Sequence, residues 1–134
     1  MTRAFGPAPS AAEIEALGYR ALSLLPAQFA PHLGDFSFAV EEFADAETLA
    51  DLGIENPFEL SGVYEGVALT ERSIEHSGTM PARIRLFRRP ILDEWSERGD
   101  ETLEHLVTHI VIHEVGHHFG LSDEDMHALE DAAD

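Results

Sequence analysis

The segment 113–117, with the sequence HEVGH, constrains this 134-residue chain more than any other part of it. Residues four apart on a helix project from the same face, one turn from each other. The imidazoles of His113 and His117 can therefore hold a single Zn²⁺, and Glu114 lies beside them as a candidate general base. The segment thus predicts a zinc-dependent hydrolase.

The residues after the histidine pair offer a third metal ligand. A catalytic zinc site takes three protein ligands and keeps one position for water. Gly120 would let the chain turn sharply after the helix, and Asp123 would then return beneath the metal. In a competing interpretation, Asp123 instead serves as the N-cap or a first-turn acid of a further helix, where Ser122 and Glu124 also fit. Three other carboxylates remain alternative third ligands: Glu124, Asp125 and Glu130.

Other polar residues near the motif are given more modest roles. His105 and His109 extend the four-residue spacing backwards, and we interpret them as partly exposed or hydrogen-bonded helix residues rather than as an accessory metal site. His118 is interpreted as a packing residue, and Met126 as part of the core of the last helix. A tetrahedral oxyanion would need a stabiliser besides zinc, for which residue type alone suggests Tyr64, Arg72 and His76.

Length and composition predict one globular domain over residues 1–134, with a flexible lead at 1–9. The hydrophobic content of 44% is enough for a core, and the absence of cysteine excludes disulfides and thiolate metal ligands. We see no apolar signal segment or stretch of membrane-spanning length, and we expect a cytoplasmic protein. The net charge of -18 argues against binding nucleic acid or anionic membrane. The sequence does not indicate the oligomeric state.

Hydrophobic periodicity and capping residues predict an α+β fold with a small, mostly antiparallel sheet packed against helices. The first helix is expected to begin with a capping box at Ser10 and to end near Leu25. The motif is expected on a long helix capped by Asp100 and stopped by Gly120. The other predicted helices cover 46–52 (ending at Gly53), 90–95 (terminated by Gly99) and 124–132, and the extended segments cover 36–40, 62–70 and 83–87.

The segment 113–125 resembles the signature of the small bacterial zincin-like metallopeptidases, also described as minimal zincins. The segments 62–73 and 81–90 look like strands of the same family, so the resemblance covers the chain from about Phe38 onward. It implies a zincin-like α+β core, in which a mostly antiparallel or mixed sheet packs against an active-site helix and a backing helix. It also implies that peptide substrate pairs with an edge strand beside the cleft, for which 63–70 and 83–87 are the candidates.

The resemblance further implies a role for each residue of the motif. His113 and His117 match the zinc ligands, Glu114 matches the general base, and Asp123 matches the third-ligand position of patterns that use aspartate. The expected activity is hydrolysis of peptide bonds in a peptide or protein substrate, with Zn²⁺ as cofactor.

Two alternatives are kept beside the peptidase. One is a catalytically silent, metal-binding interaction module, because so small a domain has little room for a deep cleft. The other is a zinc-dependent endoribonuclease, because the ligand spacing also resembles that of the bacterial rRNA-maturation endonucleases. Glu114, which that family lacks at this position, and the net charge of -18 argue against the nuclease.

Overall fold

The computed structural model describes residues 8–25, 37–65, 83–119 and 122–133. Within these ranges the chain forms five α-helices and three strands, the numbers expected from the sequence. In chain order they are α1 (Ala11–Ser23), β1 (Ser37–Glu41), α2 (Ala46–Leu52), β2 (Gly62–Glu65), β3 (Arg83–Phe87), α3 (Arg88–Arg98), α4 (Leu103–Phe119) and α5 (Asp123–Ala133), with a 3-10 turn at Pro57–Glu59 before β2. No described helix is both long and apolar enough to cross a membrane.

The three strands form a mixed sheet in the order β1-β3-β2. β1 runs parallel to β3, with Phe38 opposite Ile84, whereas β2 runs antiparallel to β3, with Tyr64 opposite Ile84. A parallel pair needs a long connection, and the chain between β1 and β3 supplies one that contains α2 and β2. The sheet is therefore mixed rather than mostly antiparallel.

The position of β3 decides between the two strands considered for pairing with a substrate. β3 lies in the middle of the sheet, and its neighbours already occupy both of its edges. The segment 83–87 therefore offers no edge to a substrate. No described strand pairs with the other edge of β2, which belongs to the remaining candidate 63–70; the part of that candidate beyond Glu65 lies outside the described residues.

One face of the sheet packs against α1 and α4 around a continuous apolar core. α1 contacts both β1 and α4, and it is therefore the backing helix that the resemblance implied. A Cβ built on Gly18 would lie only 3.1 Å from the Phe38 ring, so this glycine lets α1 approach β1 closely. Burial of each large side chain in such a core contributes about 1.5–3 kcal/mol. The fully buried residues include Ile14, Ile84, Leu86, Ile91, Val107 and Val111.

The ends of the first two helices confirm the predicted local signals. Ser10 Oγ accepts from the Glu13 N–H, and the Glu13 carboxylate accepts from the Ser10 N–H, which completes the capping box. α1 ends at Ser23, slightly before the expected Leu25. Gly53 follows α2 with a φ of 69°, the left-handed conformation that stops a helix.

Two helix starts differ from the prediction. α3 begins at Arg88, directly after β3, so Pro90 lies in its first turn rather than opening it. Asp100 does not cap α4, because Thr102 Oγ1 accepts the N–H of His105 at 3.1 Å and the Thr102 carbonyl accepts that of Leu106. The cap is thus two residues later than predicted, and a hydroxyl replaces the expected carboxylate.

Candidate metal centre and cleft

The motif lies on α4, which packs into the hydrophobic core and also reaches the surface. Its apolar side buries Leu106, Val107, Val111 and Val115. These contacts fix how the helix is rotated, and they leave the side that carries His113 exposed. The expectation that the motif lies on a long helix is confirmed for the described part of α4.

An open cleft of about 420 Å³ lies beside this exposed side of α4. α3 forms a second wall, and the segment that leads into β2 forms a third. His113 and Glu114 of the motif both line the cleft. The other lining residues are Glu59, Leu60, Ser61, Gly62, Glu94, Arg98, Glu101, Leu106, His109 and Ile110.

Glu114 occupies an unusual position for a carboxylate, because only 7% of its surface is exposed. The backbone N–H of Tyr64 in β2 donates a hydrogen bond to it. Burial raises the pKa of the Glu114 carboxyl to about 7, and the bond from Tyr64 opposes this effect without cancelling it. A carboxyl that titrates near neutral pH is suited to taking up and releasing protons.

The sheet register explains why the Tyr64 N–H is available to Glu114. The Phe87 N–H donates to the Ser61 carbonyl at 2.9 Å, so alternate residues of β2 form the bonds to β3. Tyr64 lies at a non-bonded position opposite Ile84, and its N–H therefore points away from β3. The open edge of β2 thus anchors the carboxylate of the motif.

Gly62 brings this edge strand close to α4. A Cβ built on Gly62 would lie 3.0 Å from the Ile110 methyl group and 3.3 Å from the Arg85 carbonyl oxygen. A larger residue would push the strand away from the helix, because contacts this short are repulsive. The short distance between β2 and α4 is what allows Glu114 to reach the strand backbone.

The helices give the backbone positions of the other two predicted ligands. His117 is one turn beyond His113 on α4, and Asp123 is the first residue of α5; their side chains lie outside the described residues, as does Gly120. Ser122 Oγ accepts the N–H of Asp125 at 3.1 Å, which makes Ser122 the N-cap of α5. Asp123 is therefore not the N-cap but the first residue of α5, which is the first-turn position of the competing interpretation.

A tight helix contact holds α5 against the motif. A Cβ built on Gly116 would lie 2.6 Å from Met126 Cγ, so the glycine inside the motif is the surface on which α5 packs. Met126 is 5% exposed, which confirms its predicted role in the core. Through this contact the start of α5, including Asp123, is tied to the helix that carries the histidine pair.

A second polar group lies at the start of the same helix, and the sequence pattern had indicated its two histidines but not Glu101. Glu101, His105 and His109 each offer one ligand atom, and these atoms lie within 4.8 Å of one another. His105 Nδ1 is 3.1 Å from Glu101 Oε1, so the expected hydrogen-bonded role of His105 is confirmed. The missed signal was the glutamate four residues before His105, which continues the histidine spacing beyond the first residue of α4.

The candidate oxyanion stabilisers are only partly described. Arg72 and His76 lie outside the described residues. Tyr64 faces α4, where its side chain packs against the hydrophobic core while its backbone binds Glu114. Arg98 also lines the cleft, but it forms ion pairs with Glu94 and Glu101 at 2.8 and 2.9 Å.

These features together define a class. A small mixed sheet, a backing helix, and an H-E-x-x-H helix whose glutamate meets the neighbouring strand form an architecture consistent with a zincin. The family model described as "Zincin-like metallopeptidase" matches residues 33–133, and the chain belongs to that family. No curated protein matches the chain. The family and the histidine–glutamate group on α4 support a metal-binding, zincin-like protein.

Proposed function

We propose that this protein is a zinc-dependent peptidase in which His113, His117 and Asp123 hold the metal and Glu114 is the general base. The observation that carries the proposal is the position of Glu114. Its carboxyl group is buried at the wall of the cleft, follows the exposed His113 directly in sequence, and is anchored by the backbone of the edge strand. A purely structural glutamate would not need this combination of burial, proximity to a histidine pair and access to a cleft.

The donor set suits zinc. Two imidazoles and one carboxylate are a common ligand set of catalytic zinc, and because Ser122 caps α5, Asp123 is not required as its N-cap. When bound, zinc would supply Lewis acidity and lower the pKa of a coordinated water. The packing of Met126 on Gly116 supports the same assignment, because it ties the start of α5 to α4.

Glu114 then performs the proton transfers. It accepts a proton as the water oxygen bonds to the scissile carbonyl carbon, and it returns that proton to the nitrogen as the carbon–nitrogen bond breaks. The hydrogen bond from Tyr64 holds the carboxylate in one orientation throughout.

The substrate is proposed to be a peptide or protein segment in extended form. Gly62 lines the cleft, and the strand register directs its backbone N–H and carbonyl away from β3, as at Tyr64. A peptide can add to this edge by backbone hydrogen bonds. The net charge of -18 disfavours nucleic acid and anionic membrane as partners, and we propose a cytoplasmic location.

A Glu114→Gln variant tests the proposal most directly. Glutamine keeps the shape and can still accept the Tyr64 N–H, but it cannot carry the proton. We expect the variant to retain zinc and to lose roughly 10²–10⁴-fold in kcat/KM, the usual contribution of a general base. The measurement is cleavage of a mixed peptide library by the zinc-loaded protein, followed by mass spectrometry, with bound metal determined on the same samples.

Glu104→Gln is the matched control, because Glu104 lies on the same helix, is not among the cleft-lining residues and forms an ion pair with Arg20. It should keep both zinc and activity. Asp123→Ala should weaken zinc binding, and wild-type affinity in that variant would move the third ligand elsewhere. Unchanged hydrolysis in Glu114→Gln would contradict the base assignment. A zinc-loaded wild type that cleaves no peptide would instead favour the silent metal-binding module.

A further inference from the structure

We propose that Glu101, His105 and His109 form a second site for a divalent transition-metal ion of the Zn²⁺ type, in the cleft upstream of the H-E-x-x-H pair. The proposal rests on the geometry of these three described residues and does not depend on peptide hydrolysis. It changes the interpretation of His105 and His109 that the sequence alone favoured.

The three side chains converge without any rearrangement of the helix. Their ligand atoms lie within 4.8 Å of one another, and the two imidazole rings have centroids 4.1 Å apart. Ligand atoms that are each about 2 Å from one ion lie roughly 3–4 Å apart, so small rotations of these side chains would close the triangle around an ion. Two imidazoles and one carboxylate favour zinc and neighbouring transition metals over magnesium or calcium, which prefer oxygen ligands.

Glu101 is held in place by contacts that leave one of its oxygens for a metal. Arg98 Nη1 binds Glu101 Oε2 at 2.9 Å, while the other oxygen, Oε1, faces His105 at 3.1 Å. Trp95 Nε1 donates to the backbone carbonyl of Glu101 at 2.9 Å. The carboxylate is 12% exposed, so it is largely shielded from water. Such outer contacts orient a ligand before the ion arrives, which lowers the cost of binding.

This site is separate from the one at the motif. His105 lies eight residues before His113, which corresponds to about 12 Å along the helix axis. An ion about 2 Å from its ligands cannot contact both histidines. His109 and Glu101 nevertheless line the same cleft as His113, so the two ions would face one common space. The strongly negative charge of the chain favours the accumulation of cations there.

The test is the number of metal ions bound and their affinities, measured by equilibrium dialysis with Zn²⁺ and by the visible absorption of bound Co²⁺. Wild-type protein should bind two equivalents. His105→Ala should bind one, with affinity for the second ion reduced by more than the roughly 10–100-fold that the loss of an outer contact costs. His113→Ala should also bind one, and the double variant should bind neither tightly.

His127→Ala is the matched control, since His127 is an exposed histidine on α5, away from the three ligands. It should bind two equivalents. Circular dichroism checks that each variant is folded, and Glu101→Gln provides a further variant that removes a ligand with little change in shape. The proposal is overturned if folded His105→Ala and Glu101→Gln both bind as many equivalents as wild type, with the same affinities. Absence of peptidase activity with two bound ions would contradict the proposed function and leave this inference standing.

Discussion

Among the described residues, two charged side chains are buried, and they lie in very different surroundings. Arg85, on the central strand, is 6% exposed, and Glu114, on α4, is 7% exposed. Arg85 forms charge-assisted hydrogen bonds with Glu41 at 2.7 Å, Asp45 at 2.7 Å and Glu65 at 3.2 Å. The donor to Glu114 identified above is instead an uncharged backbone N–H.

The pKa values of Arg85 and Glu114 are both raised, but a raised pKa favours the charged form of an arginine and the neutral form of a glutamate. Burial by itself would lower the pKa of Arg85, yet Asp45 and Glu41 outweigh it and hold the guanidinium in its charged form. Burial raises the pKa of Glu114 to about 7 and so disfavours its charged form. A buried charge that is fully paired serves structure, whereas a buried carboxyl poised between two protonation states at the wall of a cleft serves chemistry.

The largest effect on stability is expected at Arg85. Arg85→Met keeps the apolar stem but removes the guanidinium that joins β1, β2 and the start of α2. We expect a loss of about 2–3 kcal/mol in the free energy of unfolding, because charge-assisted bonds are broken and three carboxylates are left close together. Urea unfolding of the two proteins measures it.

Arg83→Met is the matched control on the same strand. Arg83 is 49% exposed and pairs with Glu65 within the described part of the chain, so its loss should cost less than about 1 kcal/mol. Arg85→Lys should recover only part of the loss, since an ammonium cannot reproduce the planar fork of the guanidinium. Equal costs for Arg85→Met and Arg83→Met would remove the distinction between a structural buried charge and a surface pair.

Around Glu114, we expect the free energy of unfolding to depend more on side-chain volume than on charge. Gly116→Ala adds a methyl group against Met126, and overpacking of this kind typically costs about 1–3 kcal/mol. The better helix propensity of alanine offsets up to about 1 kcal/mol. We therefore expect a net loss of roughly 1–2 kcal/mol, measured by urea unfolding.

A double-mutant cycle with Met126→Ala isolates the contact. The shorter side chain removes the atoms that the new methyl group would meet, so Gly116→Ala should cost nothing, or should stabilise, in that background. A cost that persists unchanged there would show that the methyl group clashes with something other than Met126.

The sequence predicted the parts of the molecule that depend on local chemistry. The capping box at Ser10, the end of α2 at Gly53 and the long helix α4 are confirmed, because each depends on residues within a few positions of one another. Membership of the zincin-like family is confirmed as well. The ligand roles of His113, His117 and Asp123 stay predictions, as does the catalytic role of Glu114.

The features that the sequence did not predict depend on contacts between residues that are far apart in the chain. Arg85 alternates with apolar neighbours, as a surface residue of a half-buried strand would, and only the folded chain brings Glu41, Asp45 and Glu65 around it. The parallel pairing of β1 with β3 likewise has no local signal. Threonine and aspartate are both favoured N-cap residues, so the sequence alone could not show that Thr102 rather than Asp100 caps α4.

The smallest effect on stability is expected from lowering the pH. It tests one carboxylate partner of Arg85, Asp45, separately from the other two. The hydrogen bond from Arg85, together with those from Thr48, holds the pKa of Asp45 well below its ordinary value of 3.8. A carboxyl with a lowered folded pKa contributes stability above its unfolded pKa and loses that contribution as pH falls towards the folded value. Asp45→Asn should therefore be less stable than wild type at pH 7, with the difference shrinking as the pH falls below about 5.

Asparagine caps helices as well as aspartate does, so the variant tests the charge and not the cap of α2. Asp51→Asn, at an exposed position of the same helix, controls for the general loss of a negative charge. Urea unfolding at several pH values between 7 and 3 provides the comparison. A stability difference that stays constant or grows as the pH falls would mean that Arg85 does not depend on the charge of Asp45, and the buried cation would then be held by Glu41 and Glu65 instead.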